Sequence, residues 1–197
     1  MTKHNSLSNQ LISHLKDIVG QKYVFEDAES LSAYGHDETE NLNFPPEVLL
    51  KPANTNEVSS IMKLAHSNNI PVTPIGARTG LSGGALSVCG GIGLSMERFN
   101  KIVTIDEDNL QLVVEPGVVT QTLQEEVAKK GLYYAPDPAS RGSCFIGGNI
   151  AENSGGPRAV KYGVTKDFVL NLEVVLASGE VINTGANTLK NSTGYNL

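Results

Sequence analysis

Apolar positions recur at helical spacing from the start of the chain. Leu7, Leu11, Ile12, Leu15, Ile18 and Val19 fall on one helical stripe, and Gly20 ends it. Residues 26–46 break the rhythm. They mix acids, Ser, Asn and Pro45-Pro46 and read as an irregular crossing segment. PEVLLKP then reads as a short buried strand, and Asn54 or Thr55 caps a helix with Val58, Ile61, Met62 and Ala65 on one face. IPVTPI returns as a second strand, which completes a β-α-β unit. GIGLSM, KIVTID and QLVVEPG follow as three short strand-like runs separated by turn residues or charges. Thr120 opens a helix carrying Leu123 and Val127, with Lys129 and Lys130 in its last turn and Gly131 behind it. VLNLEVVLASGEVIN reads as a hairpin turning at Ser178-Gly179. There is no internal repeat. The pattern predicts two small α/β lobes meeting near residues 100–110.

Glycine changes this picture. The chain has 20 glycines, above the usual share of roughly 7%, and they cluster at 76–93 and 142–163. Ordering glycine costs conformational entropy, so such clusters need a return from close backbone approach or unusual dihedrals. In GARTGLSGG, which directly follows IPVTPI, Gly76, Gly80, Gly83 and Gly84 permit a tight nest of N–H groups around an anion. Arg78 adds a charge to that anion or shields it. In IGGNIAENSGG, Gly147-Gly148 and Gly155-Gly156 surround Asn149 and Asn153, whose amides can pair with a polar ring edge. Between them Ile150 and Ala151 are expected to start a helical turn aimed at an anion. Neither loop is a familiar phosphate motif. The nearest approach to G-x-G-x-x-G, Gly91-Ile92-Gly93, has Met96 where a third small residue belongs, and no P-loop pattern occurs.

Composition narrows the partners. With 40% apolar and 18% charged residues, 197 residues can bury one sizeable core or two small lobes. A net charge of −6 argues against a nucleic-acid binder or an anionic-membrane binder. Cys89 and Cys144 lack metal or CxxC spacing and read as two unpaired thiols of a reducing compartment. Residues 1–10 lack the apolar core of a signal peptide, and no run reaches the ~20 apolar residues of a membrane span. A soluble, cytoplasmic chain is expected. His36-Asp37-Glu38 reads as a solvated turn, because three adjacent residues rarely converge on one ion; no metal site is expected.

The stretches PVTPIGARTGLSGGAL, VEPGV, PDPAS, IGGNIAENSGGPRAVKYGVTKDFVLNLEVVLASGEV and KNSTGYNL occur in one order from about residue 45 to the end. In them the chain resembles the FAD-binding domain of the vanillyl-alcohol oxidase and p-cresol methylhydroxylase superfamily. Within it the chain is similar to the FAD-linked D-2-hydroxyacid dehydrogenases, the group that holds D-lactate dehydrogenases and the FAD-linked subunit of glycolate oxidase. The resemblance implies an α+β, two-lobed domain: a small parallel β-α-β lobe over about 1–105 and a mainly antiparallel sheet lobe over about 106–197. FAD would lie between them. Pro74, Gly76, Ala77, Arg78, Thr79, Gly80, Ser82 and Gly83 would receive its pyrophosphate. Pro138, Ala139, Ser140, Cys144, Gly147, Gly148, Asn149, Ala151, Asn153 and Gly155 would line the flavin and ribityl side. The family often has threonine where Cys144 stands and alanine where Ser154 stands, which weakens a side-chain role for Cys144. His4, His14, His36 and His66 lie outside both loops, so the flavin is expected to be non-covalent. Arg158, Lys161 and Tyr162 either reach substrate or, more commonly for such residues, hold the loop down.

The resemblance also implies that a closing strand and a substrate-binding cap lie beyond Leu197, so that this fragment alone is inactive and no catalytic base is named in it. The expected activity of the longer protein is oxidation of glycolate or D-lactate by hydride transfer to flavin, with the small 2-hydroxyacid and possible other oxidase subunits as partners. Two other readings compete. One is a reductase of the UDP-N-acetylenolpyruvoylglucosamine type, against which the ENSGGPRAVKYG continuation counts. The other is an accessory subunit without cofactor, against which the intact glycine loops count.

Overall fold

The computed structural model describes residues 4–190 and 192–194; Asn191 and residues 195–197 of the KNSTGYNL stretch lie outside them. Helix α1 (Asn9–Val19) starts where the Ser8 side chain accepts the Leu11 N–H and stops at Gly20, whose φ is 86°. β1 (Val24–Phe25) follows, then α2 (Ala28–Ala33), capped by Asp27 on the Ser30 N–H at 2.8 Å. α2 corrects the irregular reading of 26–46. At six residues it is too short for periodicity to register, and only its Asp27 cap and Glu29 in the first turn mark it in the sequence.

β2 (Val48–Leu50), α3 (Thr55–Ser67), β3 (Val72–Ile75) and β4 (Ile92–Ser95) complete the first half. Asn54 caps α3 by accepting the Glu57 N–H at 3.0 Å, and Glu57 returns a carboxylate oxygen to the Ala53 N–H at 2.8 Å. The sheet order is β1-β2-β4-β3, with β4 parallel to both neighbours and β1 antiparallel at the edge. The expected β-α-β unit therefore encloses a third strand. β2 is buried throughout because both sheet faces are covered. Val48, Leu50, Ile92 and Leu94 pack under Leu15, Val19, Ile61 and Ala65 of the two long helices. Leu49 and Ile75 point to the opposite face, against Tyr34 at the end of α2.

The second half is built on another core. β5 (Ile102–Asp106) pairs with β6 (Gln111–Val114), and α4 (Thr120–Ala128) and α5 (Ile146–Glu152) pack Leu123, Val127 and Ile146, with Val118 just before α4, against that hairpin. α6 (Ala159–Tyr162) is a single turn. β7 (Asn171–Val175) and β8 (Val181–Gly185) form the last hairpin. Among the described residues the antiparallel part is thus two separate two-stranded ribbons rather than one sheet. The β7–β8 turn docks on α3, where the buried Ser59 hydroxyl donates to the Gly179 carbonyl at 2.6 Å.

Candidate functional site

The first glycine loop leaves the C-terminal end of β3, the edge at which parallel sheets place their ligands. Residues 33–42 cross it and tie it down. The Glu38 N–H donates to the Gly80 carbonyl at 3.1 Å, and the Gly83 N–H donates to Thr39 Oγ1 at 2.9 Å. Arg78 adopts a left-handed φ of 61°, its Nη1 donates to the Ala33 carbonyl, and its guanidinium lies 4.4 Å from the centre of the Tyr34 ring. The backbone N–H groups of 77–82 donate to no protein acceptor among the described residues. Arg78 Nε is buried and likewise has no acceptor. Residues 77–80 are half-buried, and unpaired donors there require water or a ligand, while Leu81 and Ser82 are exposed.

The second loop is held from α4. The Ser140 carbonyl accepts the Ser143 and Cys144 N–H groups, each at 2.8 Å. Thr120 is fully buried, with its hydroxyl 3.1 Å from Cys144 Sγ and accepting from Asn149 Nδ2 at 2.6 Å. The Ile146 N–H reaches the Val118 carbonyl at 2.9 Å and the Gly147 N–H reaches the Pro116 carbonyl at 2.8 Å, so α5 is seated on the turn before α4. Beyond α5, Asn153 turns left-handed at φ 49°, and its Oδ1 accepts the Lys166 N–H at 3.0 Å.

The two loops meet at their glycines. A Cβ on Gly76 would lie 3.9 Å from the Gly148 Cα and 4.0 Å from its N. At the far end Ser82 Oγ donates to Glu152 Oε1 at 2.8 Å. Around this junction the glycines are not equivalent. A Cβ on Gly147 would lie 2.7 Å from Pro116 Cβ, so packing alone demands glycine there. Gly83, at φ 72°, is demanded by its dihedral. Gly80 and Gly148 face open space, with no protein atom within 4 Å of a Cβ and no left-handed φ to explain them. At each of these two positions a side chain would enter open space.

Several of the expected site residues have partners inside the fold. Asn149 is 2% exposed, with its amide on Thr120, and Cys144 is buried beside the same hydroxyl. The Asn153 amide oxygen is held by Lys166, and the Arg78 guanidinium by Ala33 and Tyr34. The helical turn expected to begin at Ile150 and Ala151 begins four residues earlier, at Ile146. Ile150 and Ala151 therefore lie inside the helix, and their N–H groups do not aim outward. Arg158 holds the loop down, pairing with Asp137 at 3.1 Å. Pro138, Ala139 and Ser140 precede α5 and Gly155 follows it, while Pro74 lies in β3 and Ala77 and Thr79 lie within the first loop. Asp37 is buried, not solvated, and accepts the Thr39 N–H at 2.9 Å. The periodicity of the sequence carried no signal for Tyr34, Thr39, Glu97 or Thr120, because each acts across a long sequence gap.

Charge behind the first loop is organised by Glu97, just after β4. Burial pushes its carboxyl up, but hydrogen bonds from Lys51 and Tyr34, and the Lys51 and Arg78 charges, outweigh burial and hold it below its usual value. Lys51 Nζ sits 2.7 Å from Glu97 Oε2. Tyr134, under the second loop, is pushed up to about 12, chiefly by burial and then by the field of Cys144. Among the described residues no His, Cys, Asp and Glu cluster is set to hold a metal ion, and no helix is long and apolar enough to cross a membrane.

Comparison with known proteins bears on this geometry. The FAD binding domain family matches residues 46–185, a span that includes both glycine loops. The chain belongs to the FAD-binding domain family. This FAD-binding domain is 41% identical over 196 residues to a D-lactate dehydrogenase of Anaerostipes hadrus, covering 99% of the chain and 41% of that protein. It is 44% identical over 164 residues to glycolate oxidase subunit GlcD of Bacillus subtilis, covering 83% of the chain and 35% of that protein. The chain thus spans about two fifths of the curated relatives it matches. A structure of p-cresol methylhydroxylase with substrate bound superposes with a TM-score of 0.76 at 24% identity, covering 90% of the chain and 35% of that protein, which shows the fold.

Proposed function

We propose that this chain is the FAD-holding part of an oxidoreductase that converts a D-2-hydroxyacid, such as glycolate or D-lactate, to the 2-oxoacid. The observation that carries the reading is the junction of Gly76 with Gly148, flanked by the unpaired N–H groups of 77–82. A dinucleotide pyrophosphate needs several donors at close range and no Cβ in the way, and this cradle meets both demands. The Arg78 Nε is a further donor without an acceptor. Gly148, Gly155 and the backbone of Pro138, Ala139 and Ser140 would face the ribityl and flavin side, while Asn149, Cys144 and Thr120 keep α5 in place. Bound flavin supplies the hydride acceptor. The chain's own contribution is to bind it, orient it and fix α5 beside it. Non-covalent attachment belongs to the same proposal, supported by the placement of His4, His14, His36 and His66 outside both glycine loops in the sequence.

The hydroxyacid class rests on the names of the D-lactate dehydrogenase and glycolate oxidase relatives, and the second of these also suggests further subunits as partners. The test uses the natural full-length protein. Denaturation and chromatography should release FAD; FMN, a nicotinamide nucleotide or no cofactor overturns the reading. Anaerobic addition of D-lactate or glycolate should bleach the flavin, and flavin that stays oxidised with both acids overturns the substrate class.

A further inference from the structure

We infer that Tyr34 is a positioning residue: backed by Glu97 and Lys51, it clamps Arg78 and thereby sets the shape of the 76–84 loop. What the loop then presents to a ligand rests on the FAD reading; the clamp itself does not.

The inference begins with the backbone. Arg78 has φ 61°, a region that a side-chain-bearing residue occupies only when its surroundings hold it there. The surroundings here come from α2. The guanidinium lies over the Tyr34 ring at 4.4 Å and donates from Nη1 to the Ala33 carbonyl. The ring is in turn fixed. Tyr34 is 9% exposed, its hydroxyl donates to Glu97, and Lys51 Nζ sits 5.1 Å from the ring centre while pairing with Glu97 at 2.7 Å. Arg98 completes the ties by donating from Nη1 to the Lys51 carbonyl at 2.7 Å. Lys51, Arg78 and Glu97 follow the C-terminal ends of β2, β3 and β4, so a single aromatic ring links the ends of three parallel strands.

Two further ties reach the loop from the same segment, Glu38 on Gly80 and Thr39 on Gly83. Arg78 is the tie that lies between the loop's open N–H groups. Without the ring, its left-handed backbone loses its anchor, and the loop that carries the N–H groups of 77–82 is held from that segment only at Gly80 and Gly83. Arg78 is thus a strap for the loop, and its Nε–H, which has no protein acceptor, stays available to a bound anion.

A double-mutant cycle in the natural full-length protein tests this. FAD affinity is measured by flavin fluorescence on flavin-stripped protein, and amide exchange at Gly83 is measured without flavin. Tyr34→Leu should weaken FAD about tenfold, the size expected for a partly desolvated cation–π contact, and Arg78→Ala, which removes the Nε donor as well as the strap, should weaken it at least as much. Each should speed exchange at Gly83. The double variant should be no worse than Arg78→Ala alone, because Tyr34 acts on the loop only through Arg78. Tyr34→Phe keeps the ring and should stay within about threefold of the parent. Arg78→Lys keeps the charge but not the planar stack, and should match Arg78→Ala. Additive losses, a Tyr34→Leu protein with parental affinity and exchange, or full rescue by Arg78→Lys overturns the inference. If Tyr34→Leu does not fold, the Phe and Lys variants decide. If the parent itself does not bind FAD, the cofactor reading falls, and the Gly83 exchange rates still judge the clamp.

Discussion

At the scale of single residues, neighbouring glycines have opposite reasons for being glycine, and this is measurable. Gly147 is pressed against Pro116, whereas Gly148, inside α5, faces open space. Alanine at 148 should raise the stability of the flavin-free protein by about 0.5–1 kcal/mol, the helix preference for alanine over glycine. It should at the same time weaken FAD binding, because its Cβ enters the cradle. Alanine at 147 should lower stability by about 1–3 kcal/mol through overpacking. Thermal melts and flavin titrations of the two variants check both signs; a Gly148→Ala protein with unchanged FAD affinity would remove Gly148 from the site. The clustering of glycines was legible in the sequence, but the division of labour among them was not. Asn149 shows why. Its amide looked free to meet a ring edge, yet α5 starts at Ile146, which puts position 149 on the same inward face three residues on. One helix start decides which side chains see the cleft.

At the scale of elements, α4, the second loop and the turn before α6 are tied together through buried polar groups. Tyr134 is the group whose titration reports on that packing. Burial pushes it up to about 12, above the value near 10 of an exposed tyrosine. The folded protein therefore keeps a proton that the unfolded chain loses above pH 10, so stability falls as pH rises from about 10 to 12. The expected loss is on the order of 1 kcal/mol after allowing for partial exposure. Denaturant midpoints measured across that range should show the decline, and Tyr134→Phe should flatten it. An unchanged slope in the variant would assign the alkaline loss to other groups. The long helices and the final hairpin were legible because their periodicity spans enough residues to register. α2 was not, at six residues, and neither was the position of β4 between β2 and β3. Strand order is set by pairing between distant segments, which local pattern does not encode.

At the scale of the whole molecule, the described residues build two hydrophobic cores, and the two glycine loops touch at Gly76 and Gly148. The parallel sheet delivers the first loop at its carboxyl edge, and the second core delivers α5. A ligand held there would touch both loops, which meet at Gly76 and Gly148 and again at Ser82 and Glu152. The measurement that tests this most directly is an amide chemical-shift map of the protein during titration with FAD. The N–H signals of 77–82 and of Gly148 should move together with one affinity, while those of the α1 and α3 faces remote from the loops stay in place. Shifts confined to a single loop, or centred elsewhere on the surface, would contradict a cofactor held at the meeting of the two.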